Sequence, residues 1–155
     1  MTLLRCIALA LICLVVLGTF TASSSAHLKS HKAYYEHTAD VYRFFRNHPQ
    51  VAKLTVAKKI LRQHTRHAYR LLIGKWDGVY HCENGSYGWR ANTGNGYYGG
   101  LQMDRSFQRS YGGEFMRWWG TANNWPAWAQ MAAAERAYHS GRGFGPWPYC
   151  GRFGG

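Results

Sequence analysis

Four glycines fall within eleven residues, Asn92 to Gln102 (N-T-G-N-G-Y-Y-G-G-L-Q), and a stable helix does not run through such a stretch. The chain must turn there. Asn95-Gly96 accepts positive φ, so Asn92 to Gly96 is expected to form a tight hairpin turn. Tyr97 and Tyr98 start the return strand, where alternation points one ring inward and the other outward. Gly99-Gly100 lets the backbone bend close to a ligand.

Helical patterns flank this run. Trp76 to Glu83 (WDGVYHCE) reads as a helix despite Gly78, with Trp76, Val79, Tyr80 and then Glu83 on neighbouring faces. Asn84 to Gly88 reads as a turn leading to Trp89. Met103 to Tyr111, Glu114 to Trp119 and Pro126 to His139 read as short helices. Asp104 fits an N-cap, and Gly120, Gly141 and Gly143 fit stops. Trp118, Trp119, Trp125, Trp128 and Trp147 are most economically core or groove wall.

The first half of the chain has a different character. Arg5, the apolar run Ile7 to Leu17 and the small residues Ser24-Ser25-Ala26 before His27 have the order of a secretory signal, residues 1–26. The apolar stretch is short for a membrane span, so cleavage is expected rather than anchoring. Ile12 is too large for a lipoprotein box at Cys13. Residues 27–73 then read as a basic helical extension. Tyr34 to Phe45 is one helix, Asn47-His48-Pro49 breaks it, and Val51 to Ile73 is a second. Gly74 is read as a hinge into residues 74–155.

Charge divides along the same line. His27 to Lys75 holds eleven Lys and Arg against two acids, Glu36 and Asp40, whereas Trp76 onward holds seven Arg against five acids. Attraction to polyanions therefore belongs mainly to the extension. For an exported chain the expected partners are anionic wall polymers or a membrane surface rather than nucleic acid. A solvated helix face is the plain alternative.

With the signal removed, two cysteines remain, Cys82 and Cys150, and an even pair in an exported protein reads as a disulfide. A metal site with His81 and His139 is the alternative, but no C-x-x-C or H-x-x-x-H spacing supports it. No metal or cofactor is expected.

Glu83 is the candidate catalytic group. It follows Cys82 at the end of a helical segment and precedes the Gly- and Tyr-rich run. The negative pole of the helix dipole and partial burial both push a carboxyl pKa upward. A general acid working near neutral pH needs that direction of shift. A lone Glu is more often a solvated surface charge, and on residue features alone that reading stays open.

A wider pattern bears on the choice. Cys82-Glu83, Trp89, the whole Asn92 to Gln102 run, Tyr111-Gly112-Gly113, Ala134-Glu135-Arg136 and Trp147-Pro148-Tyr149-Cys150 occur in order. Over about residues 76–150 the chain resembles the transglycosylase-like, lysozyme-fold domain of actinobacterial resuscitation-promoting factors. The resemblance implies an α+β, mainly α fold of lysozyme type with a small β-hairpin. It also implies cleavage of peptidoglycan glycan strands at the β-1,4 bond between N-acetylmuramic acid and N-acetylglucosamine, with Glu83 as the single general acid and base. By the same resemblance Gln102 lies in the groove beside the acid. Asp104 matches a position where members often carry Asp, although an N-cap for the helix after Gln102 is the favoured reading. Thr93 and Tyr98 are the further candidates for substrate contact. Glu135 is read as a structural acid, and Glu114 as a first-turn helix acid.

The chain departs from the family pattern beside the acid. Members read C-E-S-G-G-N-W, whereas this chain reads C-E-N-G-S-Y-G-W, with Asn84 for Ser and one residue more before Trp89. Arg142 stands where some members have Gln. Two rivals to a secreted, wall-associated enzyme follow from the residues. One is a non-catalytic glycan-binding module on the same scaffold. The other is a cationic membrane-active protein built on the basic helices.

Overall fold

The computed structural model describes residues 31–155, so the expected signal at 1–26 lies outside the described residues. The chain divides into two compact units, with the boundary between Ala68 and Tyr69.

In the first unit, α1 (His31–Asn47) is followed by α2 (Pro49–Ala52) and the start of α3 (Thr55–Asn84). Pro49 opens α2, where its missing N–H costs nothing. The break at Asn47-His48-Pro49 is bonded: the His48 amide donates to the Phe44 carbonyl at 3.0 Å, and the His48 ring stacks on Phe44. Val41, Phe45, Val51 and Ala57 form the buried cluster, with Phe44, Leu54, Ile60 and Leu61 packed against it. The apolar positions between the lysines and arginines thus serve as a small core.

In the second unit the helix continues through Gly74 and Gly78. The hinge expected at Gly74 is absent. A single helical glycine costs about 1 kcal/mol, and Leu72, Trp76 and Val79, all buried, outweigh it. Gly78 has a positive reason to be there, since a Cβ on it would lie 2.2 Å from the Phe153 carbonyl oxygen. After α3, β1 (Tyr97–Tyr98) pairs antiparallel with β2 (Met103–Asp104), Tyr97 opposite Asp104 and Tyr98 opposite Met103. A bridge also joins Asn92 to Tyr98 across the turn. Met103, expected in a helix, is therefore strand, and Asp104 closes that strand as the expected N-cap of the next helix.

The helix that follows, α4 (Arg105–Trp119), merges two expected helices across a kink at Gly112. The Trp125 ring occupies the place of a Gly112 Cβ, 2.4 Å from it, so the kink admits a tryptophan. Beyond it, α5 (Ala127–Ala137) is buried along nearly its whole length, packed against α4. Tyr138–Arg142 forms a wide turn and Cys150–Phe153 a tight one. The architecture is α+β and mainly α, with one small hairpin. Among the described residues no helix is long and apolar enough to cross a membrane.

Candidate active site

Cys82 and Cys150 form a disulfide across 68 residues of sequence, with Cα atoms 5.5 Å apart. Bonded to each other, they are not free thiolates for a metal. The cross-link brings the last turn of α3 to the Pro146-Trp147-Pro148 segment. Glu83, next to Cys82, lines a recess of about 330 Å³ with Asn95, Tyr97 and Gln102 on the hairpin side and Pro146 to Pro148 on the other. Burial pushes the Glu83 carboxyl pKa up from its ordinary value.

The turn after the acid is held by the residue that departs from the family pattern. Asn84 is buried; its side-chain oxygen accepts the Gly88 amide at 2.8 Å, and its amide donates to the Tyr80 carbonyl. Gly85 takes φ 56°, the left-handed conformation of a helix stop. Asn84 thus ends α3 and fixes the five-residue turn that carries the extra residue.

The opposite wall is equally fixed. Gln102 adopts φ 46°, the one non-glycine residue with positive φ among the described residues. Such a conformation costs free energy and persists where its surroundings enforce it. Both its backbone and side-chain N–H groups donate to the Gly99 carbonyl, at 3.1 and 2.8 Å. Trp147 is buried, donates from its indole to the Leu101 carbonyl at 2.7 Å, and packs edge-on against Trp76 and Phe107.

A second recess of about 310 Å³ shares Tyr97, Gln102, Pro146 and Trp147 with the first, and continues to Asp104, Ser106, Ser110 and Arg142. The two form one groove with Glu83 in one arm. Asp104 is at once groove wall and N-cap, its carboxylate accepting the Phe107 amide at 2.7 Å. Of the two tyrosines, Tyr97 faces the groove. Tyr98 is half-buried with the Arg105 guanidinium 5.7 Å from its ring, and it lines neither recess. Thr93 is exposed in the hairpin turn and also lines neither. Trp89 stacks on Tyr80 at 4.2 Å and lines neither recess.

Two further acids have structural partners. Glu135 is buried; it accepts the Trp76 indole N–H at 2.8 Å and pairs with Lys75 at 3.0 Å and His139 at 2.9 Å. Glu114 lies inside α4 rather than in a first turn, and pairs with Arg136 at 2.8 Å.

Sequence reasoning missed Gln130. This fully buried side chain accepts the Gly100 amide at 2.8 Å and donates to the Trp89 and Trp125 carbonyls at 2.8 and 3.0 Å. It ties the Gly99-Gly100 bend to α5. A lone Gln in the run A-W-A-Q-M-A-A-A was the available signal, because a buried amide must be bonded.

The transglycosylase-like domain family model matches residues 73–150, half of the chain. The chain is similar to resuscitation-promoting factor RpfE of Mycobacterium tuberculosis, 42% identical over 79 residues that make up 51% of this chain and 42% of that protein. It is similar to resuscitation-promoting factor Rpf1 of Corynebacterium glutamicum, 45% identical over 76 residues, 48% of this chain and 37% of that one. It is also similar to resuscitation-promoting factor RpfC of Mycobacterium tuberculosis, 40% identical over 84 residues and 52% of each chain. The matched part thus spans about half or less of these relatives. The chain belongs to the transglycosylase-like domain family.

Proposed function

We propose that this protein cleaves the β-1,4 bond between N-acetylmuramic acid and N-acetylglucosamine in peptidoglycan, with Glu83 as general acid and then base. The observation that carries the reading is the place of Glu83: a carboxyl at a helix end, lining a recess of about 330 Å³ with Asn95, Tyr97 and Gln102, with its pKa raised by burial. The upward shift favours the protonated carboxyl, the form that donates to the leaving glycosidic oxygen. The resulting carboxylate then takes a proton from the attacking hydroxyl. If water attacks, the product has a reducing muramyl end; if the muramyl 6-hydroxyl attacks, it has an anhydro end. Both routes make the same demand on Glu83.

Gln102, Tyr97 and Asp104 line the groove and would bind the sugars beside the acid. Thr93 and Tyr98, on the same hairpin, would meet sugars further along the strand. The disulfide fits an oxidising compartment, which supports export. In the extension, Lys59, Arg62 and Arg66 line a shallow depression of about 370 Å³ along one face of α3 with Thr55 and Gln63. That face would hold anionic wall polymers by charge.

The test is mass spectrometry of muropeptides released from purified peptidoglycan by the wild type and by Glu83→Gln. Soluble fragments from the wild type alone are expected, and their ends report which hydroxyl attacks. Saturable glycan binding with no product from oxidised wild type would replace the enzyme by a binding module.

A further inference from the structure

The groove arm beyond Gln102 has a chemistry that a neutral sugar chain does not need. Arg142 stands on one of its walls, and Ser106 and Ser110 stand on another. The two serines are four residues apart on α4, so their hydroxyls share one face of the helix. Arg142 is held in place. Gly141 at φ 95° and Gly143 at φ 52° bracket it in left-handed conformations that side chains rarely adopt. Its guanidinium lies 5.9 Å from the Tyr111 ring centroid and helps to lower that hydroxyl's pKa, after the hydrogen bond from Ser140. Arg142 is otherwise exposed, and its five N–H donors exceed what one phenol oxygen accepts.

We infer that Arg142, with the Ser106 and Ser110 hydroxyls, forms a carboxylate-binding subsite that reads the peptide branch of the glycan strand. The inference rests on the proposed function, since it takes peptidoglycan as the ligand. The glycan backbone of that polymer is uncharged, and its anionic groups nearest the sugars are the carboxylates of the peptide carried on muramic acid. A guanidinium fork matches a carboxylate in two parallel hydrogen bonds, and hydroxyl donors complete the contact. One cation balances one negative charge. Asp104 in the same arm repels any anion, and a doubly charged phosphate more than a singly charged carboxylate. The Asp104 carboxylate itself is engaged at the N-terminus of α4. The groove therefore has a proton donor in one arm and an anion reader in the other, which fixes the strand's register relative to Glu83.

Calorimetry with the full oxidised chain tests this. The probes are two disaccharide-peptides identical except that the stem carboxyl is free in one and amidated in the other. The wild type should bind the free acid about tenfold more tightly, the size of one charge-assisted contact. Arg142→Gln should erase the preference, and Arg142→Lys should keep part of it, as charge without the fork. Equal affinities in the wild type, a preference that survives Arg142→Gln, or no binding of the free acid at millimolar concentration would each overturn the subsite. Displacement of the free-acid probe by an equal concentration of inorganic phosphate would make it a general anion site and overturn the peptide reading. The measurement needs no turnover and is repeated on Glu83→Gln. Failure of the enzyme reading, seen as no product from peptidoglycan, is thus distinguishable from failure of the subsite.

Discussion

Cys82 and Cys150 are joined, so the helix end that carries Glu83 is tied covalently to the segment that carries Trp147, the recess wall facing the hairpin. Reduction should therefore act on stability and on the recess together. The chain-entropy model gives a loop of this length roughly 4 kcal/mol. A Cys82→Ala, Cys150→Ala chain is expected to melt well below the oxidised wild type in a thermal scan, and to lose glycan cleavage before it unfolds.

Glu83→Gln should lower turnover of peptidoglycan by about two to four orders of magnitude, the usual weight of a general acid and base. Wild-type activity should fall as pH rises through the raised Glu83 pKa, because the protonated form is the donor. Stability follows the same group. A carboxyl whose folded pKa lies above its unfolded value disfavours the fold once pH passes that unfolded value. Glu83→Gln should then melt higher than the wild type at neutral pH, and the gap should close below the ordinary carboxylate range. A gap that does not change with pH would refute this.

Gln130→Ala leaves the Gly100 amide and the Trp89 and Trp125 carbonyls without their buried partner. A loss of about 3 kcal/mol is expected in denaturant titration. Gly99→Ala should also be poorly tolerated, since its φ is +78° and a Cβ would lie 2.3 Å from the Gln130 oxygen.

His64 packs with Tyr34 and His37 in the first unit, with its pKa lowered to about 4 by burial first and then by His37 and His67. A depressed histidine pKa means the fold holds the neutral ring. Stability from this site is complete above pH 6.5 and lost as pH falls toward 4. The loss should be about 1–2 kcal/mol after allowance for the solvent that still reaches the ring. Ring proton shifts of His64 from pH 8 to 3, with amide exchange in α1, check both the midpoint and the destabilisation.

Lys59, Arg62 and Arg66, changed together to Gln, should weaken binding to anionic wall material and flatten its salt dependence. Co-sedimentation across a salt series reads this, and an unchanged slope would remove the role of this face.

Some of the site was legible along the chain because its signals are local. The helix from Trp76 to Glu83 follows from the spacing of its apolar residues, and the bend at Gly99-Gly100 from its glycines. Asp104 as an N-cap follows from side-chain geometry within four residues. The missed features depend on distant partners. Gly74 reads as a breaker until the burial of Leu72 and Trp76 is known. Met103 reads as helical until Tyr98 pairs with it. Glu114 reads as a first-turn acid until Arg136 faces it from α5.

The sequence by itself determined the family, the two cysteines beside the groove walls, and a carboxyl at a helix end ahead of a glycine-rich turn. Periodicity and backbone permissiveness are properties of neighbouring residues, so they are readable in one dimension. The tertiary structure decided that Tyr97 faces the groove and Tyr98 does not, and that Gln130 anchors the bend. It also decided that Arg142 shares an arm with Ser106 and Ser110. Those outcomes depend on which buried polar groups find partners and which faces are left to solvent, and packing settles both only once residues far apart in the chain have met.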